Sequence, residues 1–175
     1  VLGMGIKMAL FPMHGWLPDA YTHAPSTASA LIAPTGTKVG AYVLLRVMFF
    51  VFGVTYVGRT LPFTDIISWL AAIGIIYGSI MAIAQKEIKR MLAYSSVAQV
   101  GYIALGIGLA NPMGLVGAVL HVLNHAFMKA ALFLVAGNFR YKLGHSNIDK
   151  LTNHIRKKMP WTMLAFTIPA LSMVG

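Results

Sequence analysis

The chain has 175 residues, of which 58% are apolar and 10% charged, and it contains no cysteine. A soluble domain carries roughly 25% charged residues, so this chain lacks the polar surface to cover a globule in water. Without cysteine, a disulfide scaffold, an iron–sulfur cluster and a thiolate zinc site are excluded. Lys and Arg number 14 against 4 acids, a formal charge of +10, which points to nucleic acid in a soluble chain but to loop topology in a membrane chain.

Runs of about 20 apolar residues suffice to cross a bilayer core of roughly 30 Å. The first run, Val1 to about Leu10, is short, and it contains Lys7, unlike a signal peptide. The second runs from about Pro25 to Phe52, long enough to tilt. The third spans about Ile66 to Gln85, the fourth about Met91 to Ala110 and the fifth about Met113 to Phe139. The sixth starts near Trp161 and continues to Gly175. The expected fold is an all-α integral membrane bundle of about six helices, with the first and last truncated. The whole chain, 1–175, reads as a single transmembrane domain and as an internal piece of a longer subunit.

Alternating crossings sort the loop charges. The turn "QKEIKRM" holds Lys86, Lys89 and Arg90 against Glu87. The connection after the fifth run holds Arg140, Lys142, Lys150, Arg156, Lys157 and Lys158 against Asp149. Both fall on one side, with Asp19 and His23, while the other side has Arg59, Asp65 and the Asn111-Pro112 turn. The positive-inside rule makes the basic side cytoplasmic, as in a prokaryotic cell membrane. Most of the charge is then topology, and nucleic acid is not expected as a partner. The segment "KLGHSNIDKLTNHIRKK" places Ile148, Leu151 and Ile155 at helical spacing after the candidate caps Ser146 and Asn147. It reads equally as an amphipathic surface helix or as a solvated basic loop.

Lys7, Lys38 and Lys129 lie inside apolar runs, where a central lysine costs about 2.5–3.5 kcal/mol on insertion scales. Arg46 can snorkel outward, but Lys38 falls near the middle of its run and must face protein or water. Removal from water disfavours the charged ammonium, so such groups can exchange protons in a relay; the plainer reading is a lysine held by carbonyls for packing. His121, His125 and Lys129 fall at i, i+4 and i+8. Each step of four turns by only about 40°, so the three line one stripe roughly 12 Å tall, with Asn124 beside it. Histidine passes protons through its two ring nitrogens. HxxxH is also metal-ligand spacing, though no acid or Cys lies in the same motif. Haem would need a histidine on a facing helix, and a structural hydrogen bond is a further alternative.

Prolines mark interruptions. Pro12, Gly15 and Pro18 predict that the first helix breaks soon after Lys7. Pro34 predicts a kink just before Lys38, whose ammonium a freed carbonyl can hold, and Pro169 predicts a break in the sixth helix. Broken helices at membrane depth line protein or wet cavities and often carry ion sites.

Three motifs in order, "KMALFPMHGWLPDAYTHAPSTASALIAPTGTKVGAYVLLR", "AQKEIKRMLAYSSVAQVGYIALG" and "HVLNHAFMKAALFLVAGN", resemble the antiporter-like subunits of respiratory complex I, Mrp Na+/H+ antiporters and membrane-bound hydrogenases. The resemblance covers essentially the whole chain. It implies helices seven through part of twelve of a subunit of about fourteen helices. It also implies that Lys7 is the lysine at the break in helix seven, governed by a glutamate on helix five. Lys38 matches the bridging position of helix eight, and His121, His125 and Lys129 match the polar line of helix eleven. The helix-five glutamate and the terminal Lys or Glu of helix twelve lie outside this chain. The family's "APTPVSA" stands here as Ala24-Pro25-Ser26-Thr27-Ala28-Ser29-Ala30, without the second proline. The HxxxHxxxK form looks closer to the Mrp and hydrogenase types.

The implied function is proton translocation, alone or in exchange for Na+, with Lys7, Lys38, His121, His125 and Lys129 as the relay. Flavin, haem and quinone chemistry would belong to partner membrane subunits, and this chain is expected to hold no cofactor or metal. Two other classes compete: a structural scaffold without its own ion path, whose buried lysines would be paired, and an unrelated carrier of small solutes.

Overall fold

The computed structural model describes residues 2–53, 56, 63–150 and 158–174. Arg59, Arg156 and Lys157, and residues 151–157 of the segment weighed as a surface helix, lie outside them. Among the described residues the chain forms helices α1 (Leu2–Met8), α2 (Trp16–His23), α3 (Ser26–Leu45), α4 (Phe63–Ile83), α5 (Ile88–Gly108), α6 (Pro112–Leu143) and α7 (Pro160–Val174). α3 continues through a π-helical turn, Arg46–Val51, so that Ser26–Val51 forms one span. This span, α4, α5 and α6 are long and apolar enough to cross a membrane. The chain is an all-α integral membrane bundle.

The first predicted break is present. α1 ends at Met8, and Ala9 takes a left-handed conformation, φ 60°, which a side chain with a Cβ adopts at a cost. The segment then closes on itself through Leu10 N–H to the Gly5 carbonyl and Met13 N–H to the Leu10 carbonyl. It seats against α3 at Gly40, where a Cβ would lie 2.8 Å from the Met8 backbone nitrogen. The predicted break at Pro169 is corrected: α7 runs through it without interruption. A proline deletes one i→i−4 bond and bends a helix whose flanking bonds hold; α3 likewise stays helical through Pro34.

Packing follows the logic of a lipid solvent. On α4, Ile66, Trp69, Ile73, Ile76, Ile80 and Ile83 point outward and are exposed, while Ala71, Gly74, Gly78 and Ala82 face the protein. Apolar bulk gains nothing by leaving lipid, whereas small residues let backbones approach. α4 and α5 meet along this seam: a Cβ on Gly78 would lie 2.7 Å from the Ala98 backbone nitrogen.

α6 is bounded by its own sequence. Asn111 caps it by accepting the Gly114 N–H at 2.6 Å, Pro112 occupies the first turn, and Gly144 ends it at φ 73°. Its 32 residues make it roughly 48 Å long.

The two basic connections meet at one end of the bundle. Glu87 pairs with Asn147 as an isolated antiparallel bridge. Ile88 N–H bonds the Ser146 carbonyl, Ile148 N–H bonds the Lys86 carbonyl, and the Ser146 hydroxyl donates to Glu87 at 2.9 Å. Asp19 joins this end through an ion pair with Arg90 at 3.7 Å. In the connection after α6, the described part forms only a short 3-10 turn, Ile148–Lys150.

The buried apolar side chains form two clusters. One, nearer the basic end, includes Leu17, Ala33, Val97, Leu132 and Phe133. The other includes Met8, Ala41, Val100, Ile103 and Ala118. Along α3, Lys38 falls between Ala33 and Ala41; along α6, His125 and Lys129 fall between Ala118 and Leu132; along α5, Gln99 falls between Val97 and Val100. The break after Met8 lies at the same boundary. A polar layer thus separates two apolar cores.

Substituting Gly78 by Val should drive a side chain into the α5 backbone. Overpacking of this kind costs about 1–3 kcal/mol, measurable as a lower unfolding midpoint in detergent, whereas Ile80→Val on the outward face should leave the midpoint unchanged.

Candidate functional site

The site is built by three helices around that layer. α3 brings Lys38, which is buried and donates to the Ala33 carbonyl at 2.6 Å. The carbonyl is that of the residue immediately before Pro34. The one that Pro34 itself frees is four residues back, at Ala30, because proline has no N–H to give it. α6 brings the stripe. His121 and His125 stack, with ring centroids 5.9 Å apart and planes 13° from parallel. Lys129, one turn further, is fully buried and donates to the Leu92 carbonyl at 2.8 Å and the Ser95 hydroxyl at 2.6 Å. α3 packs along α6, which sets Lys38 and the stripe on neighbouring helices of the same layer.

The structure therefore brings together four of the five residues singled out from the sequence: Lys38, His121, His125 and Lys129. Lys7 is separate. It lies in the last turn of α1 and is exposed, contrary to the expectation of a buried charge. α1 buries Gly5 and Met8 and leaves Ile6 and Lys7 exposed.

The partners of the buried lysines are neutral. Among the described residues the one ion pair is Arg90 with Asp19, at the basic end. Several buried polar atoms have no hydrogen-bond partner, among them both ring nitrogens of His125, Nε2 of His121 and Oε1 of Gln99. Unpartnered buried polar atoms are costly and are commonly served by water. Beside them lies a cavity of about 720 Å³ between α5, α6 and α7, bordered by Gln99, Tyr102, His121, Asn124 and Ser172. Its size and polar lining suit a cluster of waters.

Sequence reading missed the partner face. On α5, Ser95, Gln99 and Tyr102 fall at i, i+4 and i+7 and share one side. Ser95 bonds Lys129, and the Tyr102 ring meets His121 at 6.1 Å. The signal was the same helical spacing of polar residues in an apolar run that exposed the stripe on α6.

Lys89 was also misplaced, as a loop cation. It is fully buried, and its ammonium donates to the Thr22 and Ala24 carbonyls at 3.0 and 2.5 Å. These are terminal carbonyls of α2, where the helix dipole favours a cation. Lys89 thus ties the end of α2, and the α2–α3 corner, to the start of α5.

Removing that tie in Lys89→Met leaves the half-buried Thr22 carbonyl without its side-chain donor. The expected cost is about 1–3 kcal/mol, read as a lower unfolding midpoint, whereas Lys150→Met, in the surface connection, should cost little.

Comparison with known proteins places this geometry. Residues 1–175 match the family described as NADH:quinone oxidoreductase/Mrp antiporter, TM. NADH-quinone oxidoreductase subunit N of Desulforudis audaxviator (strain MP104C) is 52% identical over 175 residues, covering 100% of this chain and 34% of that protein. F(420)H(2) dehydrogenase subunit N of Methanosarcina mazei is 36% identical over 181 residues, covering 99% and 36%. Among solved structures, the Mrp complex from Dietzia sp. DQ12-45-1b superposes with a TM-score of 0.92 at 29% identity, covering 99% of this chain and 32% of that one. The chain spans about a third of the length of the curated relatives it matches. The chain belongs to the NADH:quinone oxidoreductase/Mrp antiporter transmembrane family.

Proposed function

We propose that this chain moves protons across a membrane, alone or in exchange for Na+, as part of a longer antiporter-like subunit of a multisubunit complex. The host would be of the NADH:quinone oxidoreductase, Mrp or membrane-bound hydrogenase type. The observation that carries the reading is the polar layer itself. Lys38 and Lys129 are buried on neutral carbonyl and hydroxyl partners, and the buried His125 ring, one turn from Lys129, has neither nitrogen engaged.

A buried ammonium with no counter-ion can give up its proton without leaving an acid behind. A neutral imidazole accepts on one nitrogen and donates from the other. A proton can then pass between Lys38, His125 and Lys129, and reach the cavity beside His121, each transfer filling a site that the previous one has vacated. Charges this close in a low-dielectric layer repel strongly, so a change at one lysine shifts the proton occupancy of the next. The driving step is electrostatic.

Lys7 takes part, in this reading, by exchanging protons with groups outside the described residues, as the family resemblance implies. The end that gathers the basic connections faces the cytoplasm, as the positive-inside rule requires. Redox chemistry belongs to partner subunits. A scaffold reading expects paired and permanently charged lysines, and among the described residues neither Lys38 nor Lys129 has an acidic partner.

In the full-length subunit within its assembled complex, Lys38→Ala should lower proton transport by about tenfold or more, the scale on which positioned proton-transfer groups act. The measurement is proton uptake by reconstituted vesicles, with assembly checked separately. Normal assembly with an unchanged rate would remove Lys38 from the relay. His125→Ala should slow transport without loss of assembly, and a full rate would leave that ring a packing role.

A further inference from the structure

Gln99 lies in the polar layer, opposite the middle of the stripe. The helices α5 and α6 run antiparallel, and two contacts fix their register. Lys129 bonds Ser95 toward the basic end, and Tyr102 meets His121 toward the other end. Gln99 sits between Ser95 and Tyr102 on the same side of α5, and His125 sits between Lys129 and His121 on α6. The middle rung therefore pairs Gln99 with His125. Gln99 is 8% exposed and His125 fully buried. Gln99 Oε1 and both His125 ring nitrogens are the unpartnered atoms of this rung.

An amide cannot exchange its proton as a histidine or lysine does, but its carbonyl oxygen is a fixed acceptor. A neutral imidazole has one N–H and one bare nitrogen, and the partner of one nitrogen decides which is which. α6 packs against both α5 and α3. Lys38 comes from α3, and Lys129 and His121 flank His125 on α6.

We infer that Gln99 is a positioning residue: on a small turn of its side chain its Oε1 accepts the N–H of the His125 ring directly, which leaves the other ring nitrogen bare. This rests on the relay reading for its consequence, but not for its geometry. His125 is then pre-set to receive a proton at that bare nitrogen. No bond is made or broken at Gln99.

The test uses the full-length subunit in its complex, with ¹⁵N-labelled histidine. In the unaltered protein at a pH where the ring is neutral, His125 should show one tautomer. A mixture of both would overturn the inference without any variant. Gln99→Met keeps the length of the side chain and removes the acceptor. It should convert the His125 signal to a mixture and slow proton uptake about tenfold, the scale of one lost hydrogen bond. Gln99→Glu, which keeps an acceptor oxygen at the same reach, should restore the single tautomer. An unchanged tautomer in Gln99→Met overturns the inference whatever the rate. His125→Ala separates the two ideas: if it keeps the full transport rate the relay reading fails, while the tautomer measurement still decides the role of Gln99.

Discussion

A cation placed between two apolar cores has to be held by whatever polar atoms the backbone can offer. That constraint organises this chain. Lys38, Lys89 and Lys129 each settle on main-chain carbonyls, of Ala33, of Thr22 and Ala24, and of Leu92. In a helix interior the carbonyls are already engaged, and only a second lone pair is free. At a helix end they are open. Lys89 uses the open end of α2, whereas Lys38 shares a carbonyl of its own helix and Lys129 one of α5. The first arrangement serves carbonyls that lack a helical partner, and the second shares carbonyls that have one.

The packing around this layer inverts that of a soluble core. α4 sends its isoleucines and Trp69 outward and meets α5 through glycine and alanine. α5 and α6 approach in the same way: a Cβ on Gly106 would lie 2.7 Å from the Gly114 carbonyl oxygen. Ser95 and Tyr102, further along the same helix pair, meet Lys129 and His121.

Much of this was legible in the sequence, and the reasons are local. Each span announces itself by length and hydropathy, and the break after Met8 by Pro12, Gly15 and Pro18. Helical periodicity alone set His121, His125 and Lys129 on one line. The failures are tertiary. Lys89 stands in a basic turn, and nothing in "QKEIKRM" says that the end of α2 arrives above it. Lys7 lies in an apolar run, yet which side of α1 meets α3 is settled by Gly40, distant in sequence. Pro169 breaks a pattern without breaking the helix. Ser95 and Gln99 had the right spacing, but serine and glutamine are common enough in membrane helices to pass unremarked until the facing helix is known.

The Leu92 carbonyl has a consequence for how the site would respond to a change of charge. Besides Lys129, the hydroxyls of Ser95 and Ser96 lie within donating reach of it, at 3.0 and 2.9 Å, and compete for its free lone pair. When the lysine turns away, a serine hydroxyl takes its place and no buried acceptor is stranded. The socket tolerates the loss of its ammonium. At the Thr22 carbonyl, the ammonium of Lys89 is the one side-chain donor, and the opposite property holds: that lysine is a fixture.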